Sequence, residues 1–241
     1  MTAPVAIVTG STSGIGEGMA RYLAAKGMRI VVNSRTSAAA GEALAAELPG
    51  AVYLQADLAD PDAATGLVER TVEHYGRLDV LVNNAGISRV VEHTDLAGAS
   101  PALWRELLDV NLIGPWVLTT AAVPHLEASP NGVIINITSH AGVRPKGASI
   151  PYAASKAALN HVTRLLAVAL APKVRVNAIA PGLVDTPLTA DWAAAQELWR
   201  TGAPMRRAAT PHDVANLAWG LIENRYVTGE VVVLDGGLNL R

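Results

Sequence analysis

The amino-acid sequence predicts an α/β fold in which seven parallel strands form one doubly wound sheet with helices on both faces. Short runs rich in valine and isoleucine alternate with stretches whose apolar residues recur at helical spacing, which is typical of βαβ units with right-handed crossovers. The runs are mostly apolar on both faces, as a sheet covered by helices on both sides requires. The predicted strands cover residues 5–9, 29–33, 51–56, 79–83, 132–138, 174–180 and 230–235.

Three of the intervening helices carry an explicit start signal. Asp60, Ser100 and Thr210 each precede a proline, so a capping side chain stands before proline at the first helical position. Asp213 follows Thr210 at capping-box spacing, and we interpret it as part of that cap rather than as a catalytic group. The segment 185–210 is the one long stretch with an irregular pattern, which makes it a candidate lid.

Composition narrows the classes of function. The 241 residues, half of them hydrophobic, are enough for one substantial core, so we expect a single domain over 1–241. A formal net charge of -2 provides no broad positive field, which argues against nucleic acid or an anionic membrane as a partner. The chain has no cysteine, and its six histidines show no metal-ligand spacing, so we expect no metal site.

The start of the chain and its apolar runs bear on location. Residues 1–10 lead straight into a strand without the pattern of a secretory signal. We expect none of the later apolar runs to be long enough to span a membrane. The sequence therefore predicts a soluble, cytoplasmic protein without a membrane partner.

A glycine-rich turn follows the first predicted strand. Residues 9–16 read T-G-S-T-S-G-I-G and lead into an apolar-periodic helix. Glycines at such a turn let the backbone approach a pyrophosphate, and the N–H groups at the helix start attract it. A tight turn without a ligand is the alternative. The three glycines and three small hydroxyl residues favour a dinucleotide phosphate site.

Four polar residues form a candidate catalytic group. Tyr152 and Lys156 lie four apart in a predicted helix and share a face, where the ammonium can lower the pKa of the phenol toward the range of a general acid or base. An isolated pair would more simply be a half-buried tyrosine and a surface lysine. Ser139 ends the fifth strand at the edge where doubly wound sheets bind ligands. Asn111 is an amide in an apolar helical stripe that needs partners if buried, or else faces solvent.

These motifs together resemble the short-chain dehydrogenase/reductase family. The shared motifs are T-G-x-x-x-G-x-G at the first turn, N-N-A-G at 83–86, Ser139, Tyr152-x-x-x-Lys156 and P-G at 181–182. They occur in the family's order and extend over nearly the whole chain. The resemblance implies a single-domain Rossmann fold and a hydride transfer between a nicotinamide cofactor and a ketone or secondary alcohol.

The resemblance also implies a role for each member of the catalytic group. Ser139 would stabilise the developing oxyanion and Tyr152 would exchange the proton with the substrate oxygen. Lys156 would lower the pKa of the tyrosine and bind the nicotinamide ribose. Asn111 would hold a water that links the lysine to solvent.

A wider set of cofactor contacts follows from the resemblance. The glycine turn would bind the pyrophosphate, and the turns after the third, fourth and sixth strands would bind the adenine, the ribose and the carboxamide. The implied contacts are Gly10, Ser11, Thr12, Ser13, Gly14, Ile15, Gly16, Ser34, Arg35, Asp57, Leu58, Asn83, Ala85, Gly86, Tyr152, Lys156, Pro181, Gly182, Val184 and Thr186. For the residues outside the glycine turn, ordinary loops and turns are the alternative.

The end of the second strand bears on which nicotinamide cofactor is used. Ser34 stands where an acid would bind the ribose hydroxyls of NAD, and Arg35 follows it with a guanidinium suited to a 2′-phosphate. An exposed loop arginine is the alternative. Ser13 stands where many NADP-dependent relatives carry a second basic residue. We expect NADP(H) to be preferred, with NAD(H) possible as a substitute.

The substrate is less defined by the sequence. The pattern resembles the branch of 3-oxoacyl-carrier-protein reductases, yet the segment 125–132 carries no Lys or Arg for an acidic carrier. A small or medium apolar ketone or secondary alcohol is therefore the leading expectation, with a carrier-bound 3-oxoacyl group as the alternative. A cofactor-sensing protein without catalysis is disfavoured because Tyr152 and Lys156 are both present.

The remaining expectations concern the pocket and assembly. His140 follows Ser139 and either lines the pocket or is an ordinary loop residue, and Trp192 and Trp199 are interpreted as lid packing. The helices around 100–127 and 151–171 carry more apolar residues than one buried face needs. The extra apolar residues include Trp104, Leu108, Trp116 and Leu166. Since the resembled family commonly pairs these helices between subunits, we expect a homotetramer, with the C-terminal residues 236–241 at a second interface.

Overall fold

The predicted sheet is confirmed in the computed structural model, which describes residues 3–240. All seven strands pair in parallel, in the order β3-β2-β1-β4-β5-β6-β7. The strands are β1 Val5–Val8, β2 Arg29–Val32, β3 Val52–Tyr53, β4 Val80–Asn83, β5 Gly132–Ile137, β6 Val174–Pro181 and β7 Val231–Leu234. The strand order reverses between β1 and β4, and the crevice outside their carboxyl ends is where a doubly wound sheet binds its ligand.

The helices connect successive strands. They are α1 Gly14–Ala25, α2 Ala38–Glu47, α3 Pro61–Tyr75, α4 Pro101–Leu108, α5 Gly114–Ala128, α6 Ile150–Leu170, α7 Ala193–Gly202 and α8 Pro211–Glu223. The predicted caps are confirmed: Asp60 accepts from two backbone N–H groups and Ser100 accepts from one. Thr210 and Asp213 form a reciprocal capping box, as their spacing predicts.

The hydrophobic core consists of one layer on each face of the sheet. On one face, α1 and α8 bury Met19, Leu23 and Val214 against the strands. On the other, α3 and α5 bury Leu67 and Leu118. Full burial of each such side chain contributes about 1.5–3 kcal/mol relative to exposure, so the two layers hold the strand ends in fixed positions. The site at the carboxyl edge therefore rests on rigid elements.

One helical stretch departs from an expectation. Pro101–Ala128 is continuous through a π-helical turn at Asp109–Ile113, and its length and composition alone would suffice to cross a membrane. The expectation that every apolar run falls short of a span was therefore wrong for this stretch. Part of it is buried in the protein, since Leu118 and Leu126 belong to the core, and core helices of soluble proteins meet the same test. Met1, Thr2 and Arg241, which belong to the predicted chain ends, lie outside the described residues.

Candidate active site

Two adjoining cavities lie at the carboxyl edge of the sheet. The first, which we call the polar cleft, has a volume of about 430 Å³ and runs from the glycine turn along the ends of β1, β2 and β4. The second, the apolar cavity, has a volume of about 450 Å³ and lies between β5, β6 and α7. Both are lined by Ile15, Ser88, Thr138, Tyr152, Thr186 and Leu188. Tyr152 therefore stands at the junction, where a group bound in one cavity meets a group bound in the other.

The glycine turn has the geometry of a phosphate cradle. Gly10 and Gly14 have φ angles of 60° and 56°, in the left-handed region that favours glycine. A Cβ on Gly10 would lie 3.0 Å from the Cα of Ala85, so the turn packs directly on the end of β4. Helix α1 begins at Gly14 and directs its free N–H groups into the polar cleft. The turn therefore fits a pyrophosphate.

Two polar side chains, Thr9 and Asn84, connect this turn to the end of β4. Neither was proposed as a site residue from the sequence. The Asn84 amide donates to the carbonyls of Thr9 and Gly10 at 2.8 and 3.2 Å. The Thr9 hydroxyl accepts from the N–H groups of Asn84 and Ala85, each at 3.0 Å. Their position beside the glycines and inside the N-N-A-G motif was the available signal. Thr9 and Asn84 therefore hold the turn in place, and Asn84 also lines the polar cleft.

The end of β2 closes the far side of the polar cleft. Ser34 is buried, and its hydroxyl is hydrogen-bonded to the Tyr53 hydroxyl at 2.9 Å. Arg35 is exposed and lines the cleft, with no ion-pair partner within residues 3–240. Thr36 lines the same end. The cleft thus ends in one unneutralised cation and no acid at the expected position.

Most of the predicted cofactor residues line the polar cleft. Those residues are Gly10, Thr12, Ser13, Gly14, Ile15, Gly16, Ser34, Arg35, Asp57, Leu58, Ala85, Gly86, Tyr152, Lys156 and Thr186. Pro181, Gly182 and Val184 line the apolar cavity instead. The sheet explains this difference, because β6 lies two strands from β4 and ends beside the lid rather than beside the glycine turn.

Two predicted contacts do not reach either cavity. Ser11 is fully buried, and its hydroxyl accepts from the backbone N–H of Asn33 at 3.0 Å. Asn83 is buried, and its amide donates to Asn136 at 2.9 Å across neighbouring strands. The side chains of both residues support the sheet next to the cleft instead of facing it.

Tyr152 and Ser139 meet at the junction of the cavities. Ser139 caps the short 3₁₀ turn His140–Gly142, and its hydroxyl accepts from the N–H of Ala141 at 3.1 Å. Burial raises the pKa of Tyr152 above its ordinary value, and a hydrogen bond with the Ser139 side chain opposes this shift. The sequence argument expected the pKa to be lowered by Lys156. The pKa shifts upward because the free-energy cost of burying the phenolate is larger than the stabilisation that the Ser139 hydrogen bond gives it.

Lys156 is a buried cation on the same face of α6. Its Nζ donates to the carbonyl of Ile137 at 3.1 Å, at the end of β5. Burial lowers the pKa of this lysine to about 8. A Cβ on Gly86 would lie 3.2 Å from Nζ and 3.1 Å from the Asn111 Oδ1, so the lysine and the asparagine converge on Gly86. The ammonium thus faces the polar cleft with few partners from the protein.

Asn111 is fully buried and fully hydrogen-bonded, as the sequence argument required of a buried amide. Its Oδ1 accepts from the N–H of Ile87 at 2.9 Å, and its Nδ2 donates to the Ile87 carbonyl and to the Ser155 hydroxyl. It lies inside the π-helical turn between α4 and α5, a feature found frequently at functional sites. Ser155, which the sequence argument missed, links Asn111 to the turn that carries Tyr152 and Lys156.

Residues of the segment 185–210, the candidate lid, form one wall of the apolar cavity. Helix α7 lies within the predicted segment 185–210, and Trp199 packs with Leu183, Ala203, Ala208 and Leu238 in a small separate core. The expected packing role of Trp199 is confirmed, and Trp192 lines the cavity with a more exposed ring. His140 also lines the cavity.

The donor set of the two cavities fits a nicotinamide dinucleotide. The glycine cradle suits the pyrophosphate, Arg35 and Asp57 stand at the adenosine end, and Lys156 stands near the junction with the apolar cavity. No group of three or more His, Cys, Asp or Glu side chains within residues 3–240 is arranged to hold a metal ion. A nicotinamide held in the polar cleft would lie next to Tyr152 at the junction, where the hydroxyl can exchange a proton with a group bound in the apolar cavity.

Comparison with known proteins gives a consistent result over the whole chain. A family model described as enoyl-(acyl carrier protein) reductase matches residues 10–239. A relative from Streptomyces violaceoruber, named provisionally as ketoacyl reductase 2 of the granaticin polyketide synthase, is 52% identical over 99% of this chain and 97% of its own length. A 3-oxoacyl-acyl-carrier-protein reductase from Synechocystis sp. is 37% identical over 99% of this chain and 98% of its own.

Solved structures agree with these relatives. A 3-ketoacyl-(acyl-carrier-protein) reductase from Brucella melitensis, solved in complex with NADH, superimposes with a TM-score of 0.90. It is 32% identical and the match covers 98% of both chains. The fold is thus shared over nearly the full length of both chains.

Proposed function

Because the chain belongs to the short-chain dehydrogenase/reductase family, whose oxidoreductases act on CH–OH and C=O groups, we propose that it reduces a ketone on an apolar or acyl carbon skeleton with NADPH. The observation that carries the proposal is the placement of Tyr152 where the polar cleft and the apolar cavity meet. Ser139 and Lys156 flank it, one on each side. A carbonyl carbon at this junction is within reach of both cavities.

The bound nicotinamide would supply the hydride for the carbonyl carbon. The chain's own residues would act on the carbonyl oxygen. Ser139 Oγ would donate a hydrogen bond to that oxygen and so stabilise the negative charge that develops on it. Tyr152 Oη would transfer its proton to the same oxygen. The raised pKa of Tyr152 keeps the hydroxyl protonated at neutral pH, which suits the direction of reduction.

The Tyr152 oxygen must regain a proton after each turnover. Lys156 is the adjacent proton source, because its pKa of about 8 makes it a readily titrated ammonium near neutral pH. In a π-helical turn one backbone carbonyl lacks the N–H partner that it would have in an α-helix. Asn111 lies inside such a turn, at Asp109–Ile113. Asn111 and Ser155 would hold the proton route in position next to the lysine.

The preference for NADP(H) rests on the end of β2. Arg35 provides a planar cation at the adenosine end of the polar cleft and has no carboxylate partner within the described chain. Ser34 leaves the end of β2 without an acid at the position that would repel a 2′-phosphate. NAD(H) lacks the phosphate and would bind more weakly.

The apolar cavity supports a substrate with an extended hydrocarbon part. Val90, Leu183, Leu188 and Leu198 line it, and its volume is sufficient for an acyl chain or a bicyclic ketone. The names of the relatives from Streptomyces violaceoruber and Synechocystis sp. support a ketoacyl group. We therefore place the ketoacyl group ahead of an unspecialised ketone.

A carrier-bound substrate is the second candidate, and one observation favours it. The exposed loop after Ser139 carries Arg144 and Lys146, and Lys146 lines the mouth of the apolar cavity. Neither side chain forms an ion pair within residues 3–240. The segment 125–132 lacks basic residues, but this loop offers two of them to an acidic carrier protein or to the phosphate of its prosthetic arm.

The proposal is tested with purified protein, both nicotinamide cofactors, a panel of apolar ketones and a set of 3-oxoacyl thioesters. We expect oxidation of NADPH that depends on a ketone and is fastest with the 3-oxoacyl thioesters. Tyr152→Phe serves as the matched control, since it removes one oxygen and keeps the ring. Reduction of none of these ketones by the wild-type protein would overturn the proposal.

The proposal includes a homotetramer in the cytoplasm. Trp116, Leu165 and Val168 on α5 and α6 are 47%, 57% and 83% exposed, which supports burial of these helices between subunits. Leu240 near the chain end is exposed as well. Sedimentation at micromolar concentration tests the assembly, and a purely monomeric species would contradict it.

A further inference from the structure

Two aromatic rings meet on the wall of the apolar cavity. His140 comes directly after Ser139, and Trp199 lies on the lid helix α7. Their rings stand edge to face, with centroids 5.4 Å apart and planes at 86°. Both residues line the apolar cavity. The pair therefore connects the turn next to Ser139 with helix α7.

Trp199 contributes a hydrogen-bond donor without an acceptor. The residue is 4% exposed, and its Nε1 has no hydrogen-bond partner within the described residues. Its position is fixed, because a Cβ on Gly182 would lie 2.7 Å from the Cζ2 atom of the ring. Buried polar groups in native proteins are nearly always paired, and those that are not require an explanation.

His140 contributes the complementary group. Burial lowers the pKa of His140, so the ring is neutral near pH 7 and has one N–H and one acceptor nitrogen. The Pro181 carbonyl lies against the ring and can take only the N–H. Nδ1 is buried and has no hydrogen-bond partner within the chain as described. The ring therefore retains an acceptor nitrogen that no group of the described residues uses.

Other polar groups lie around the pair. Ser88, whose Oγ also lacks a hydrogen-bond partner within the described residues, lines both cavities, and Trp192 carries a second indole N–H on the wall of the apolar cavity. Both carboxylate oxygens of Asp235 accept from backbone N–H groups, at 2.9 and 2.8 Å. Lys146 stands on the exposed loop at the mouth. The rest of the cavity wall near α7 consists of apolar side chains such as Leu183 and Leu198. His140 and Trp199 differ from these polar groups because their rings are in contact, so that an acceptor nitrogen and an N–H belong to adjacent rings.

We propose that His140 and Trp199 form a subsite that binds a hydroxyl group of the substrate, separate from the carbonyl oxygen bound by Ser139 and Tyr152. A hydroxyl is the substituent that donates to an acceptor nitrogen and accepts from an N–H at the same time. A methyl ether can only accept, and a hydrocarbon can do neither. The inference rests on the proposed function and narrows its substrates to hydroxyketones.

The test compares matched ketones in matched variants. The ketones are 1-tetralone, its ring-hydroxylated positional isomers and the corresponding methyl ethers, each with NADPH. His140→Phe removes both ring nitrogens, Trp199→Phe removes the N–H, and Trp192→Phe is the control on the same lid. The readout is the ratio of kcat/KM for each hydroxyketone to that for 1-tetralone within one variant, so a general loss of activity cancels.

We expect at least one hydroxyl isomer to exceed 1-tetralone about tenfold in the wild-type protein, with its methyl ether close to the parent ketone. His140→Phe and Trp199→Phe should each bring that ratio to about one, while Trp192→Phe should keep it. An unchanged ratio in both variants, or no isomer above the parent, would overturn the subsite.

Failure of the proposed function gives a different result. If no ketone is reduced, calorimetric binding of the same ketones to the NADP-loaded protein still measures the preference for a hydroxyl and its loss in the variants. Binding without that preference would contradict the subsite. Melting temperatures of the variants show whether each is folded, and Trp199→Phe tests the subsite alone if His140→Phe does not fold.

Discussion

The Nζ of Lys156 donates a hydrogen bond to the Ile137 carbonyl at 3.1 Å, and burial holds the pKa of this lysine at about 8. The folded protein therefore binds this proton more weakly than the unfolded chain, whose lysine titrates near 10.5. The charged form of this buried lysine therefore lowers the stability of the fold, and we infer that it is kept because the ammonium faces the polar cleft. This cost is measurable.

We expect the free energy of unfolding to rise as the pH increases from about 8 toward 10, because the unfolded chain then holds more protons than the folded one. A lysine pKa lowered from 10.5 to about 8 corresponds to a gain of about 3 kcal/mol in the free energy of unfolding once the group is fully deprotonated in both states. The raised pKa of Tyr152 acts in the opposite sense above pH 10, which closes the window.

Lys156→Met isolates this effect. It replaces the buried charge with an apolar chain of similar length, so stability at pH 7 should increase by about 2 kcal/mol after the loss of one hydrogen bond. The rise between pH 8 and 10 should disappear. Urea unfolding at several pH values measures both, and an equal pH slope in the two proteins would show that Lys156 is not the titrating group.

Arg35 should distinguish the two cofactors. Arg35→Ala is expected to raise the KM for NADPH on the order of tenfold and to leave the KM for NADH within about twofold, because only NADPH carries the 2′-phosphate. Thr36→Ala is the control, since it alters the neighbouring side chain without removing a charge. Steady-state kinetics with a single ketone decides the point. Equal effects on both cofactors would remove Arg35 as the phosphate contact.

The loop after Ser139 should distinguish free from carrier-bound substrates. Reversing both charges in Arg144→Glu/Lys146→Glu is expected to lower kcat/KM for a carrier-bound 3-oxoacyl group on the order of tenfold relative to the same acyl group on a short thiol. Lys26→Glu, at the C-terminus of α1 and the opposite edge of the sheet, is the control. The effect should weaken as salt increases. If the ratio of kcat/KM for the carrier-bound substrate to that for the short thioester is the same in the variant and the wild type, this loop is not the docking point.

Sequence reasoning succeeded where structure is set locally. The strands, the caps at Asp60 and Thr210 and the glycine turn depend on hydrophobic period, capping chemistry and backbone sterics within a few residues. Tyr152 could be proposed as a catalytic residue because it lies in a motif with a recognisable spacing, and Ser139 because it follows the fifth strand. Their placement at one junction follows from the strand order, which the alternation of elements predicts.

The features that sequence reasoning missed depend on contacts between distant segments. Ser11 belongs to the glycine motif, yet its hydroxyl is held by the backbone N–H of Asn33, which follows the neighbouring strand β2. The pKa of Tyr152 changes in the unexpected direction because burial is a property of the assembled site. His140 and Trp199 are far apart in sequence, and no local pattern shows that their rings touch.

The most direct test of the central claim compares the wild-type protein with Tyr152→Phe in the reduction of a 3-oxoacyl thioester by NADPH. The account predicts one NADPH oxidised for each hydroxyacyl product in the wild type. In Tyr152→Phe it predicts a fall in kcat of about 100-fold or more, with the Kd for NADPH within about threefold, since only the proton-transferring oxygen is lost. A Tyr152→Phe protein with near-normal kcat would contradict the account.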